Sequence, residues 1–286
     1  MQYFTKVNDI CPAGMVYYID HTKQGAVTMQ YHIDTIPVWD AVKLGGECPL
    51  CALRRKIELA DVDRCLGGSV MEPDTRVRVN EKGYCQRHHM LLFMQQNRLG
   101  HALMTHTHLK ETEKKAQKIF AEAAQGAQAG AGAPLTKRLM KKDGSREALK
   151  DAADQLDKLT GSCILCESID ENMKRYAYTM LYLYGKDASF RKAFEESKGV
   201  CLKDAALLLR MAGETLDVKK QADFAVALQK LMDESLSRVE GELEWFTLKF
   251  DYRNADKPWN NSRDALERAI TKLRGWCVGA EPNPKD

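Results

Sequence analysis

The spacing of six cysteines constrains this chain more than anything else in it. Cys48-Pro49-Leu50-Cys51 is followed, 34 residues after Cys51, by Cys85 in Gly83-Tyr84-Cys85-Gln86-Arg87-His88. Cys163-Ile164-Leu165-Cys166 is followed, 35 residues after Cys166, by Cys201 in Gly199-Val200-Cys201-Leu202-Lys203-Asp204. Gly83 and Gly199 stand two residues before the lone cysteine, Lys82 and Lys198 three before it, and His88 and Asp204 three after it. Two ligating groups three positions apart make a knuckle, and two knuckles make the four-donor shell of a soft divalent metal. Taken along the chain, the first frame builds one site from Cys48, Cys51, Cys85 and His88. The second builds another from Cys163, Cys166, Cys201 and Asp204. Zinc suits both, because histidine and aspartate are among its ligands; an iron–sulfur cluster is the less favoured alternative, since histidine is unusual there. The second frame also reads as a decayed copy, with its cysteines as small buried hydrophobes and Asp204 as a surface carboxylate.

Composition narrows the setting. Nine cysteines in 286 residues, with no basic and apolar leader at the N-terminus, favour metal ligation in a reducing cytoplasm over disulfides. No apolar run approaches the roughly 20 residues that cross a bilayer. Forty-three basic against 40 acidic residues leave a net charge of +3, too small to imply nucleic acid. The basic Lys137, Arg138, Lys141 and Lys142 lack interleaved aromatics and read as a solvated face.

The apolar periods are mostly helical, and each knuckle falls where a helix begins. Helices are expected from Cys48 to Leu66, over one or two segments from Tyr84 to Ala124 with a break at Gly100, from Cys163 to Gly185, and from Cys201 to Met211. A long helix after Asp217 carries Phe224, Leu228, Leu231, Leu236, Val239, Leu243, Phe246 and Phe250 on one stripe. Val27, Met29, Tyr31 and Ile33 alternate as in a short strand, Pro37 opens a helix, and Val77 with Val79 suits a short strand in the loop from Gly67 to Lys82. The expected fold is mainly α: two related helical halves, each with a Cys-rich double-knuckle metal site, plus a long C-terminal helix. Residues 1–28 form a peripheral or misassigned extension carrying a free Cys11, 29–124 the first half, 125–135 an Ala/Gly linker, and 136–286 the second half with a degenerate repeat of the frame.

Two rival chemistries have candidate residues. Cys-Pro-x-Cys resembles a thiol–disulfide pair, but such a pair sits between a strand and a helix, and it leaves Cys85 and His88 unexplained. His101, His106, His108 and Glu111 make a second constellation, which with Glu58 or Asp61 and the string around Tyr252 would line the pocket of a metal- or histidine-dependent enzyme. No Walker loop, nucleophile elbow, dinucleotide fingerprint or His-Glu-x-x-His motif is present.

Several strings together are similar to an uncharacterised bacterial family, domain of unknown function 6062. They are Tyr31-His32-Ile33-Asp34-Thr35-Ile36-Pro37-Val38-Trp39-Asp40-Ala41, Cys48-Pro49-Leu50-Cys51, Leu66-Gly67-Gly68-Ser69-Val70-Met71-Glu72-Pro73-Asp74, Gly83-Tyr84-Cys85 with His88, Asn97-Arg98-Leu99-Gly100, Met104-Thr105-His106-Thr107-His108-Leu109, Lys249-Phe250-Asp251-Tyr252-Arg253-Asn254 and Pro258-Trp259. The resemblance implies a start near Met29 and brings no activity with it. The expected role is therefore a zinc-stabilised binding or scaffolding protein, with a protein partner or a small-molecule ligand rather than nucleic acid or membrane.

Overall fold

The computed structural model describes residues 32–134, 136 and 144–282. The expected N-terminal extension, Cys11, and the basic residues Lys137, Arg138, Lys141 and Lys142 lie outside the described residues. Eleven α-helices and no strand occur among the described residues. None of these helices is long and apolar enough to cross a membrane.

Helix α1 (His32–Lys43) lies against α2 (Pro49–Leu66), and a 3-10 turn (Gly68–Met71) leads to α3 (Pro73–Lys82). Then come α4 (Gln86–Met94) and α5 (Arg98–Ala131). After the undescribed residues follow α6 (Ser145–Thr160), α7 (Ile164–Lys186), α8 (Ala188–Glu195), α9 (Leu202–Thr215), α10 (Val218–Leu248) and α11 (Ala265–Arg274). Helix α2 packs on α7, α7 on α9, and α11 on both α9 and α10.

Three local expectations change. The strand expected at Val77 and Val79 is the helix α3, because Pro73 occupies the first turn with Asp74 beside it. One helical face is buried, with Val79 inside and Val77 exposed. Of the strand expected at Val27, Met29, Tyr31 and Ile33, the first three lie outside the described residues, and Ile33 lies in helix α1, which begins at His32 and contains Pro37 in place of opening on it. The break expected at Gly100 comes earlier, at Gln95 to Asn97, where the Asn97 side chain caps α5 by accepting from the Gly100 N–H at 2.8 Å.

The Ala/Gly tract expected as a linker is helical through Ala131. Its glycines serve close approach: a methyl on Gly126 would stand 2.4 Å from Ala148, and one on Gly130 2.5 Å from Ser145. Both contacts are with α6, so the small residues let two antiparallel neighbours touch backbone to side chain. A tract poor in side chains reads as flexible from composition alone, and only the partner helix shows otherwise.

Two apolar cores result, and each draws on chain from both sides of that tract. One joins Leu50, Leu53 and Ile57 of α2 to Met173, Ala177 and Met180 of α7, with Leu208, Phe224 and Leu231 from the later helices. The other joins Val62, Val79, Leu92 and Met104 to Ile164 and Leu165. Helix α7 enters both cores, so the two frames fold around a shared helix pair, α2 and α7.

Candidate metal centres

Each knuckle begins a helix, as expected, and each first cysteine is the N-cap residue in extended backbone. The cap and the residue three later face the same side of a first turn, so Cys48 with Cys51, Cys85 with His88, Cys163 with Cys166, and Cys201 with Asp204 each present two donors together. Free N–H groups and the positive end of the helix dipole favour thiolates there.

The pairing of knuckles differs from the one expected. Cys48 and Cys51 meet Cys201 and Asp204, while Cys163 and Cys166 meet Cys85 and His88. Each centre thus takes its Cys-x-x-Cys from one frame and its lone cysteine from the other. The expected first set, with Cys85 and His88 beside Cys48 and Cys51, does not form. Nor does the second, with Cys201 and Asp204 beside Cys163 and Cys166. The physical cause is the packing of α2 on α7: their N-terminal ends lie apart, and α9 starts against α2 whereas α4 starts against α7.

At the first centre, buried throughout, Asp204 Oδ2 lies 3.3 Å from Cys48 Sγ, 3.6 Å from Cys51 Sγ and 3.2 Å from Cys201 Sγ. Cys51 and Cys201 sulfurs are 3.8 Å apart. At the second, His88 Nδ1 lies 3.2 Å from both Cys85 and Cys163 sulfurs and 3.4 Å from that of Cys166, with Cys85 to Cys166 at 3.7 Å. A tetrahedral shell with metal–sulfur arms of about 2.3 Å has sulfur–sulfur edges of about 3.8 Å, and somewhat shorter mixed edges. Both clusters have the dimensions of a closed four-ligand shell, and the sulfurs are far beyond disulfide length. Among the described residues all eight cysteines are free thiols.

Electrostatics says what such clusters need. Hydrogen bonds from Cys48 and Cys51 pull the Cys201 thiol down to about 2, while burial pushes Cys48 up. Burial raises Asp204, and Arg54 opposes it. At the second centre burial works against Cys163, but its hydrogen bond with His88 brings it down to about 6. Burial likewise opposes charge on His88, yet Cys163 and Glu58 carry it up to about 10. Each cluster concentrates more potential negative charge than it can ionise unaided, and a cation removes that frustration.

The supporting shell was only partly visible in sequence. Arg54 holds Asp204 Oδ1 at 2.9 Å, leaving Oδ2 to the sulfurs. Glu58 Oε1 stands 3.6 Å from His88 Nε2, the ring nitrogen turned away from the sulfurs. Arg87 and Arg55 anchor that carboxylate at 2.6 and 2.8 Å. Its acidity reflects this: burial is outweighed by His88, Arg87 and Arg55, which hold the carboxyl well below the usual range. Gly275, at φ +87°, passes over the first centre, and a methyl there would lie 3.6 Å from Cys51 Sγ. The next residue, Trp276, donates its N–H to that sulfur at 3.3 Å. The signal for Glu58 was its place two turns along the helix from Cys51; nothing local marked Gly275 or Trp276.

Replacing Glu58 with glutamine is expected to weaken metal at the second centre about 10- to 100-fold, the usual effect of losing a carboxylate behind a ligating imidazole. A competition titration against a coloured chelator measures it. Because the folded Glu58 carboxyl is lowered, its contribution is present above the unfolded value of about 4.3 and persists as pH falls until the lower folded value is reached. Acid release of metal therefore follows protonation of the ligands, with Glu58 still ionised.

The members of the histidine constellation meet separate partners, and His106 is exposed. His101 Nε2 meets His89 Nδ1 at 3.0 Å, and burial lowers both rings. His108 Nδ1 meets the Asn80 carbonyl at 3.1 Å, and its ring lies against Gly83, where a methyl would stand 2.4 Å from Nε2. Glu111 pairs with Lys114 on an exposed face. Asp61 accepts from Ser168 at 2.7 Å, and Tyr252 is 86% exposed in a turn after α10.

Over residues 29–280 the chain matches the model of a family described as a family of unknown function (DUF6062). That span includes all eight donors and their supporting residues. Neither a curated protein nor a solved structure matches the chain.

Proposed function

The chain belongs to the DUF6062 family, which brings no activity with it, and we propose from its own residues that it is a zinc-locked helical scaffold carrying two structural metal ions. The observation behind this is the size of the two donor clusters, whose edges of 3.2 to 3.8 Å suit tetrahedral zinc. Three thiolates with one histidine or carboxylate favour zinc over harder cations, and each shell is complete without water. Closed shells belong to structural sites; a catalytic zinc keeps a position open. The role is to hold and present a surface to a protein partner in the reducing cytoplasm. Exposed Met90, Phe93 and Met94 of α4 and Leu99 of α5 support such a surface.

Elemental analysis of untagged protein, purified under reducing and chelator-free conditions, is expected to give two zinc ions per chain. Replacing zinc by cobalt should produce the intense visible bands of tetrahedral thiolate ligation. Protein that folds with no bound metal would overturn the proposal, and a brown protein would turn it toward iron–sulfur.

A further inference from the structure

The two centres cover their sulfurs differently. At the first, each sulfur accepts a backbone N–H: Cys48 from Cys51 at 3.4 Å, Cys51 from Trp276 at 3.3 Å, and Cys201 from Asp204 at 3.4 Å. All four ligands there are buried, and Gly275 closes over them. At the second centre Cys163 accepts from Cys166 at 3.5 Å. Among the described residues no backbone N–H reaches the sulfurs of Cys85 or Cys166. These same two cysteines are the half-exposed ones. A hydrogen bond to sulfur withdraws charge and lowers nucleophilicity, and burial denies access. Both protections are missing together at Cys85 and Cys166, whose sulfurs stand 3.7 Å apart.

We propose that the second centre is a modification site for hydroperoxides, at which Cys85 and Cys166 become joined as a disulfide and the metal is released. This rests on the zinc reading above. The Cys85 thiolate attacks a peroxide oxygen; the S–O bond forms as the O–O bond breaks, and hydroxide (or alkoxide) leaves. The resulting sulfenic acid is attacked by the Cys166 thiolate, so that an S–S bond forms, the S–O bond breaks and a second hydroxide leaves. The two sulfurs lose two electrons to the peroxide, and two protons from solvent neutralise the leaving anions. Cys163 and His88 alone make a poor zinc site, so the ion dissociates. The Cys51–Cys201 pair, at 3.8 Å, is as close but shielded, which separates access and hydrogen bonding from proximity as the deciding factors.

The test treats the full zinc-loaded chain with hydrogen peroxide and follows released zinc with a coloured indicator. Remaining thiols are then blocked, and the digested peptides are mapped by mass spectrometry. One of the two zinc equivalents should leave together with appearance of a Cys85–Cys166 cross-linked peptide, and the other should leave about ten-fold more slowly or not at all. Dithiothreitol with added zinc should restore both. Loss of both ions at one rate, a Cys51–Cys201 link forming first, or no zinc release at peroxide levels that oxidise the exposed Cys277 would each overturn the proposal while leaving zinc binding in place. Absence of zinc at the outset would remove both readings together.

Discussion

Replacing Cys201 with serine is expected to release the metal held by Cys48 and Cys51 and to leave that held by Cys163 and Cys166. Zinc content should fall from two ions per chain to one. Alkylation with mass mapping should then find Cys48 and Cys51 newly reactive, with Cys163 and Cys166 still protected. His88→Ala should give the mirror result. The linear pairing of frames requires the opposite pattern for both variants, so exposure of Cys163 and Cys166 by Cys201→Ser would reject the crossed arrangement. Asp204→Asn serves as a milder change of the same shell if the serine variant folds poorly. The stability effect should be large. Structural zinc binding is worth about 10–16 kcal/mol in small domains, as much as the whole stability of an ordinary domain. Even after partial relaxation a loss of about 5 kcal/mol or more is expected, a fall of roughly 10 °C or more in melting temperature.

Lys272→Ala is expected to produce the second largest loss, about 3 kcal/mol, although this residue is no ligand. Lys272 is 1% exposed, and its ammonium donates to the carbonyls of Glu47 at 2.7 Å and of Lys198. It also lies 3.2 Å from the Glu47 carboxylate. Those carbonyls belong to the loops that lead into Cys48 and Cys201, so one ammonium from α11 clasps both knuckles of the first centre. Removing it strands buried acceptors and leaves a cavity. Arg238 still pairs with the Glu47 carboxylate at 2.7 Å, which keeps the loss below that of an isolated buried charge. Chemical denaturation should show the fall in stability, and the zinc affinity of the first centre should drop with that of the second unchanged. Equal weakening of both centres would mean that Lys272 acts on the fold at large.

At the second centre the same joint is made by the backbone. Ile164 N–H donates to Gly83 O at 3.2 Å, and the Ser162 hydroxyl donates to Lys82 O at 2.9 Å. The repeated Lys-Gly before each lone cysteine was legible as a frame, but its use was not. The carbonyls of Lys82 and Lys198 are equivalent acceptors, met by a serine in one copy and by lysine and Ser235 in the other. Donors so distant in sequence leave no local pattern to find.

The helices themselves were largely written in the chain. Of the expected stripe, Phe224, Leu228, Leu231 and Val239 are buried on α10 and Leu236 is partly buried, whereas Phe250 lies beyond the helix end and is exposed; Asp217 caps that helix by accepting from the Lys220 N–H at 3.0 Å. Errors arose where the signal was short or ambiguous. Two valines in alternation at 77 and 79 fit a strand or a helix equally, and glycine in the 125–131 tract fits a flexible joint or a tight helix contact.

By itself the sequence marked the eight candidate donors, their grouping into four knuckles and the helical start beneath each one, because all of this depends on contacts within four residues. Which knuckle meets which was decided only in the tertiary structure, where α2 packs on α7 and brings Cys51 within 3.8 Å of Cys201, 150 residues away. Equal spacing makes either pairing chemically sound, since a metal ion distinguishes donor atoms and distances but not chain order. The apolar faces of α2 and α7 choose between them: burying Leu50, Leu53 and Ile57 against Met173, Ala177 and Met180 fixes the helix ends, and the crossed shells follow from where those ends lie.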